Sequence, residues 1–148
     1  MRRMSGYPRW FYPALMVTLL GVLVSGLLLV PTMLVLRLEW DVALPRVHDW
    51  RTVSAAAHSF LGFLALTFTG AVASIHLRTG LRRHFNVKSG ISLLVLWAVM
   101  ASSAVAIYYV GDETWSRSAS VIHLLAALAA LLIFVWHHLR GDYFRRRH

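Results

Sequence analysis

The chain has 148 residues, 58% of them hydrophobic and only 14% charged, with a mean hydropathy of +0.61. That is too apolar for a soluble domain of this size, and the lack of any cysteine excludes disulfides, cysteine-held iron–sulfur clusters, thiolate zinc sites and covalent c-type haem attachment. The net charge of +9 lies between and beyond the apolar runs, so it speaks of membrane topology and not of nucleic acid, for which no soluble surface remains.

Four apolar runs, about 11–36, 53–77, 91–110 and 119–139, are each long enough to cross a bilayer as a helix. Short connections then predict an all-α, integral-membrane, up-down-up-down four-helix bundle, a single domain over 1–148. The first span holds no histidine and no acid, which suits packing and not chemistry. It is too long for the apolar region of a cleaved signal peptide, and is expected to be retained, tilted or broken near Pro31. Its Met16 reads as a gap-filler, and Trp10, Tyr12, Trp40 and Trp50 read as interface anchors.

The second span, HSFLGFLALTFTGAVASIH, carries His58 and His76. They are 18 residues apart, five whole α-helical turns, and so are expected on one face. Steps of three and four residues between them pass Gly62, Ala65, Thr69 and Ala73, a stripe of small side chains. Such a stripe lets helices approach closely, and it equally leaves a slot for a flat macrocycle. The third span ends in YYVGDETWSR, where Tyr108 and Tyr109 read as interface aromatics. Asp112 and Glu113 read as a solvated acidic turn in preference to a proton-exchange site for a quinol. The fourth span repeats the pattern of the second: from His123 the same steps pass Ala127, Ala130 and Phe134 to His137. The 14 residues between these histidines fall about 40° short of four turns. His48, His84, His138 and His148 have no such setting.

Charge fixes the expected orientation. Arg2, Arg3, Arg9, Arg78, Arg82, Arg83, Lys88, Arg140, Arg145, Arg146 and Arg147 face one acid, Asp142. The first and third loops hold Arg37, Arg46, Arg51 and Arg117 against Glu39, Asp41, Asp49, Asp112 and Glu113. The positive-inside rule then places both termini in the cytoplasm. Spans 2 and 4 run in the same direction, so depth pairs His58 with His123 near the outer surface and His76 with His137 near the cytoplasm. Ionisable side chains at membrane depth are costly and point to function, here axial ligation of two haems; a hydrogen bond between helices is the plainer use. Arg51 and Arg117 beside the outer pair, and Arg78 and Arg140 beside the inner, suit haem propionates or lipid headgroups. At 1.5 Å per residue the two histidine spacings are roughly 27 and 21 Å. Both pairs are level only if span 2 tilts more or a helix deforms at Gly62 or Gly70.

On HSFLGF at 58, SIHLRTG around 76, NVKSG at 86, YYVGDE followed by Arg117, and the H-x13-H of span 4 with Gly141 beyond it, the chain resembles the bacterial di-haem cytochrome b family. These are small four-helix inner-membrane proteins related to the membrane subunits of formate dehydrogenases and hydrogenases. The resemblance covers roughly residues 53–141. It implies that His123 and His137 ligate two separate non-covalent b haems. Better-known members take one ligand from the first helix, whereas here span 1 has none and span 2 supplies two. The expected function is electron transfer across the bacterial inner membrane between quinone and a redox partner, with a homodimer as a candidate assembly. The rival readings are a quinone-linked oxidoreductase acting on superoxide or ferric iron, and a haem-free membrane scaffold.

Overall fold

A computed structural model describes residues 6–40, 50–82 and 86–145, with side chains as far as 141. Every regular element in it is helical: α1 (Phe11–Leu38), α2 (Arg51–Val72), a wide π turn (Ala73–Leu77), α3 (Arg78–Arg82), α4 (Val87–Tyr109) and α5 (Glu113–Arg145). Four helices are long and apolar enough to cross a membrane: Phe11–Leu38, Arg51–Arg82, Val87–Tyr109 and Glu113–Gly141. The expected spans are therefore present, and each helix is longer overall than hydropathy drew it. His48, His84 and His148, with Arg2, Arg3, Asp41, Arg46, Asp49, Arg83, Arg146 and Arg147, lie outside the described residues, as do the Asp142 and Arg145 side chains.

Burial is the inverse of a water-soluble protein. The interior holds Ser25, Ser54, Ser103, Ser116, Ser120 and Thr18 beside four alanines, Met100, Phe11 and Leu15, while many other Leu, Val, Phe and Trp side chains are exposed. Water would penalise that surface; lipid does not, and in lipid small residues let helices pack closely while serines bond their own backbones. This chain is a multi-pass membrane protein.

The chain forms two compact units, residues 1–71 and 72–148. In the first, Tyr7 stacks on Phe11 at 4.3 Å, and Phe11 meets Phe68 edge-on at 5.3 Å. The Tyr7 hydroxyl donates to the Ala71 carbonyl at 2.9 Å, tying the start of α1 to the end of α2. α1 runs through Pro31 without a break, so of the two alternatives expected there, a tilt or a break, the break is absent; proline has no N–H to donate at that position. It ends with Glu39 in the left-handed region (φ 55°) and the Trp40 N–H donating back to the Leu34 carbonyl at 3.1 Å.

In the second unit α4 and α5 lie against each other around Met100, Ala126 and Ala130, with Leu93, Leu96, Trp97, Val99 and Ala127 packed on them. The tight connection is held by Ser116 Oγ donating to the Ile107 carbonyl at 3.2 Å. Asp112 Oδ1 caps α5, accepting from the Trp115 N–H at 2.9 Å.

Candidate functional site

His58, His123 and His137 share one construction. His58 Nδ1 lies 3.1 Å from the Val22 carbonyl oxygen and 3.1 Å from Ser25 Oγ, both on α1. Ser25 directs its own proton to the Gly21 carbonyl at 2.7 Å, in the next turn back. Both neighbours of Nδ1 therefore act as acceptors, which assigns the proton to Nδ1 and the lone pair to Nε2. His123 on α5 repeats this against α4: Nδ1 lies 3.0 Å from the Met100 carbonyl and 3.1 Å from Ser103 Oγ, whose proton goes to the Val99 carbonyl at 2.7 Å. His137 follows with Ser89: Nδ1 to Oγ is 2.8 Å, and Ser89 donates towards the Asn86 carbonyl and Oδ1 at 3.0 and 2.9 Å. Asn86, itself left-handed (φ 55°), donates its side-chain amide to the His137 carbonyl at 3.0 Å.

A small residue follows each of these serines. A Cβ on Gly26 would stand 3.0 Å from His58 Cε1, and one on Gly90 would stand 3.8 Å from His137 Cε1; Ala104 follows Ser103. Serine gives the acceptor and its small neighbour makes room for the ring. The sequence reading missed Ser25, Ser89, Ser103 and Asn86. The available signal was a serine–small dipeptide recurring inside apolar helices.

The structure brings His76 and His137 together. Their ring centroids are 6.1 Å apart with planes inclined at 69°. The local distortion required of span 2 is real but misplaced in expectation: neither Gly62 nor Gly70 breaks the α pattern, and the wide turn is Ala73–Leu77, around His76 itself. One residue added to a turn carries about 100° of phase, so the five-turn relation of His58 to His76 does not hold to its end. His58 and His123 belong to different units, and each is anchored within its own.

One further expectation changes. The small stripe of span 4 is not an open slot along its length, since Ala130 is buried against Met100 and Ala127 packs beside it. Arg117 forms an ion pair with Glu113 at 3.5 Å, one turn away, and Asp112 is a helix cap, so the acidic turn has local structural work. Arg51, Arg78 and Arg140 are exposed at helix ends. His138 stacks on Phe134 of the preceding turn, at 6.0 Å. Among the described residues no group of three or more His, Asp or Glu side chains converges, so no metal centre built of protein ligands alone is formed there.

No protein-family model, curated protein or solved structure matches this chain.

Proposed function

We propose that the chain is a b-type membrane cytochrome that binds two haems by histidine and carries electrons across the membrane. The observation that carries this reading is the approach of His76 to His137. With ring centroids 6.1 Å apart, the two imidazoles are close enough that His76 and His137 would together hold the iron of one haem. The tautomer supports it too, because histidine ligands commonly donate their second ring N–H to a carbonyl or another acceptor, which fixes ring orientation and basicity.

The haem supplies one-electron chemistry at its iron. The chain's residues hold and orient it. His76 and His137 would hold the inner haem, and His58 and His123, paired only by their depth in the sequence, would hold the outer one. Ser89, Ser25 and Ser103 hold the Nδ1 protons of His137, His58 and His123. Arg51, Arg117, Arg78 and Arg140 are the propionate partners, Arg117 sharing its charge with Glu113. The likeness to di-haem cytochromes b and the charge distribution support a bacterial inner-membrane location with cytoplasmic termini, a quinone or redox-protein partner, and a homodimer as a candidate assembly.

The same Nδ1 bonds also join helices, which favours a haem-free scaffold as the second reading. Expression with ample haem, purification in detergent and a dithionite-reduced spectrum separate the two. The cytochrome gives Soret and α bands; a protein of undiminished helicity with neither band is the scaffold.

A further inference from the structure

A cleft of about 590 Å³ opens where α3, the start of α4 and the end of α5 meet. Lys88 and Arg140 line it together, with Leu81, Val87 and Trp136 forming apolar wall and Asn86 beside them. Among the described residues neither cation has an ion pair or hydrogen bond. Two like charges in one cleft repel each other and attract an anion. The cleft lies at the level where membrane spans end, since one span begins at Val87 and another finishes at Gly141.

We propose that this cleft binds the phosphodiester headgroup of an anionic phospholipid. A phosphodiester offers two anionic oxygens, suited to one guanidinium and one ammonium. The apolar wall suits the glycerol and first acyl carbons, which a free phosphate ion lacks. Trp136 is exposed and one helical turn from Arg140, so the α5 face presents an interfacial aromatic beside a cation. The site does not rest on the haem reading, although Arg140, one of its two cations, is also a propionate partner in that reading. It also adjoins the inner haem ligand, because Ser89 lines the cleft and also holds His137 Nδ1.

The test is lipid binding to the full chain in dodecyl maltoside micelles, titrated by native mass spectrometry, with haem content read in the same spectra. Phosphatidylglycerol should bind at least tenfold more tightly than phosphatidylcholine. A charge-assisted bond within the cleft, which Arg9 and Arg82 do not line, contributes about fivefold or more, so Lys88→Gln with Arg140→Gln should weaken phosphatidylglycerol by about thirtyfold or more. The control pair Arg9→Gln with Arg82→Gln should change it less than twofold. If the double variant does not fold, each single variant should lose about fivefold or more. Equal binding of the two lipids, or no loss in the variants, overturns the proposal. Displacement of phosphatidylglycerol by millimolar inorganic phosphate also overturns it, in favour of a free-anion site. An unaltered protein that carries no haem but binds phosphatidylglycerol as expected would count against the cytochrome reading alone; haem loss from Arg140→Gln with unchanged lipid binding would assign Arg140 to a propionate and overturn the lipid proposal.

Discussion

Adding one methyl group to Gly26 tests whether His58 is held as rigidly as its bonds imply. The new Cβ would stand 3.0 Å from His58 Cε1 and 3.4 Å from Nδ1. The ring resists displacement because Nδ1 is bonded at 3.1 Å to both Val22 and Ser25 on the same stretch of α1. A shift of about 0.5 Å to relieve the clash would stretch these contacts beyond useful hydrogen bonding. Overpacking costs about 1–3 kcal/mol, and an interhelical bond in a membrane protein averages about 0.6 kcal/mol. Replacing a helical glycine returns about 1 kcal/mol in propensity. Gly26→Ala should therefore lose about 1–2 kcal/mol. Gly70→Ala meets nothing within 4 Å and should be neutral or stabilising by up to about 1 kcal/mol. Gly21→Ala meets only the end of the Leu61 side chain, at 2.9 Å, and should fall between them because that chain can rotate. Unfolding of the micelle-embedded protein by titrated dodecyl sulfate, followed by far-UV circular dichroism, gives all three values. Equal stability of Gly26→Ala and Gly70→Ala would refute the rigid clamp.

Four other substitutions probe the remaining supports in the same unfolding assay. Ser103→Ala removes one acceptor from His123 but leaves the Met100 carbonyl at 3.0 Å, so the loss should be about 0.6 kcal/mol; a loss above about 2 kcal/mol would mean the serine is the principal anchor. Asn86→Gly keeps the left-handed backbone and deletes the amide bond to His137, and should cost about 1–3 kcal/mol. An unchanged midpoint there would show that α4 and α5 are not joined through it. Asp112→Ala removes the α5 cap and should cost about 1 kcal/mol, whereas Glu113→Gln breaks only a partly exposed ion pair and should cost well under 1 kcal/mol; the reverse order would contradict the capping role.

The spans were legible because uncharged runs of about 20 residues have few alternatives, but the start of α5 at Glu113, capped by Asp112, was not, since hydropathy begins that span at about 119. The wide turn around His76 was not, since hydropathy and α periodicity contain no term for an added residue in one turn. Only the unequal histidine spacings, roughly 27 against 21 Å by ideal geometry, gave notice that span 2 needed a distortion. The serine anchors were hidden for a different reason. A serine in an apolar helix ordinarily bonds its own backbone, and whether a neighbouring imidazole also reaches it depends on helix packing. Ala130 decides between two open alternatives: a small residue on the histidine face suits close helix approach or a slot, and α4 fills the space.

The most direct measurement is the number of haems per chain, from pyridine haemochrome absorbance against amino-acid analysis, for the unaltered protein and for His137→Ala. Two haems falling to one on loss of His137 is the predicted result. No haem in the unaltered protein, or a count that His137→Ala leaves unchanged, would contradict ligation by the His76–His137 pair.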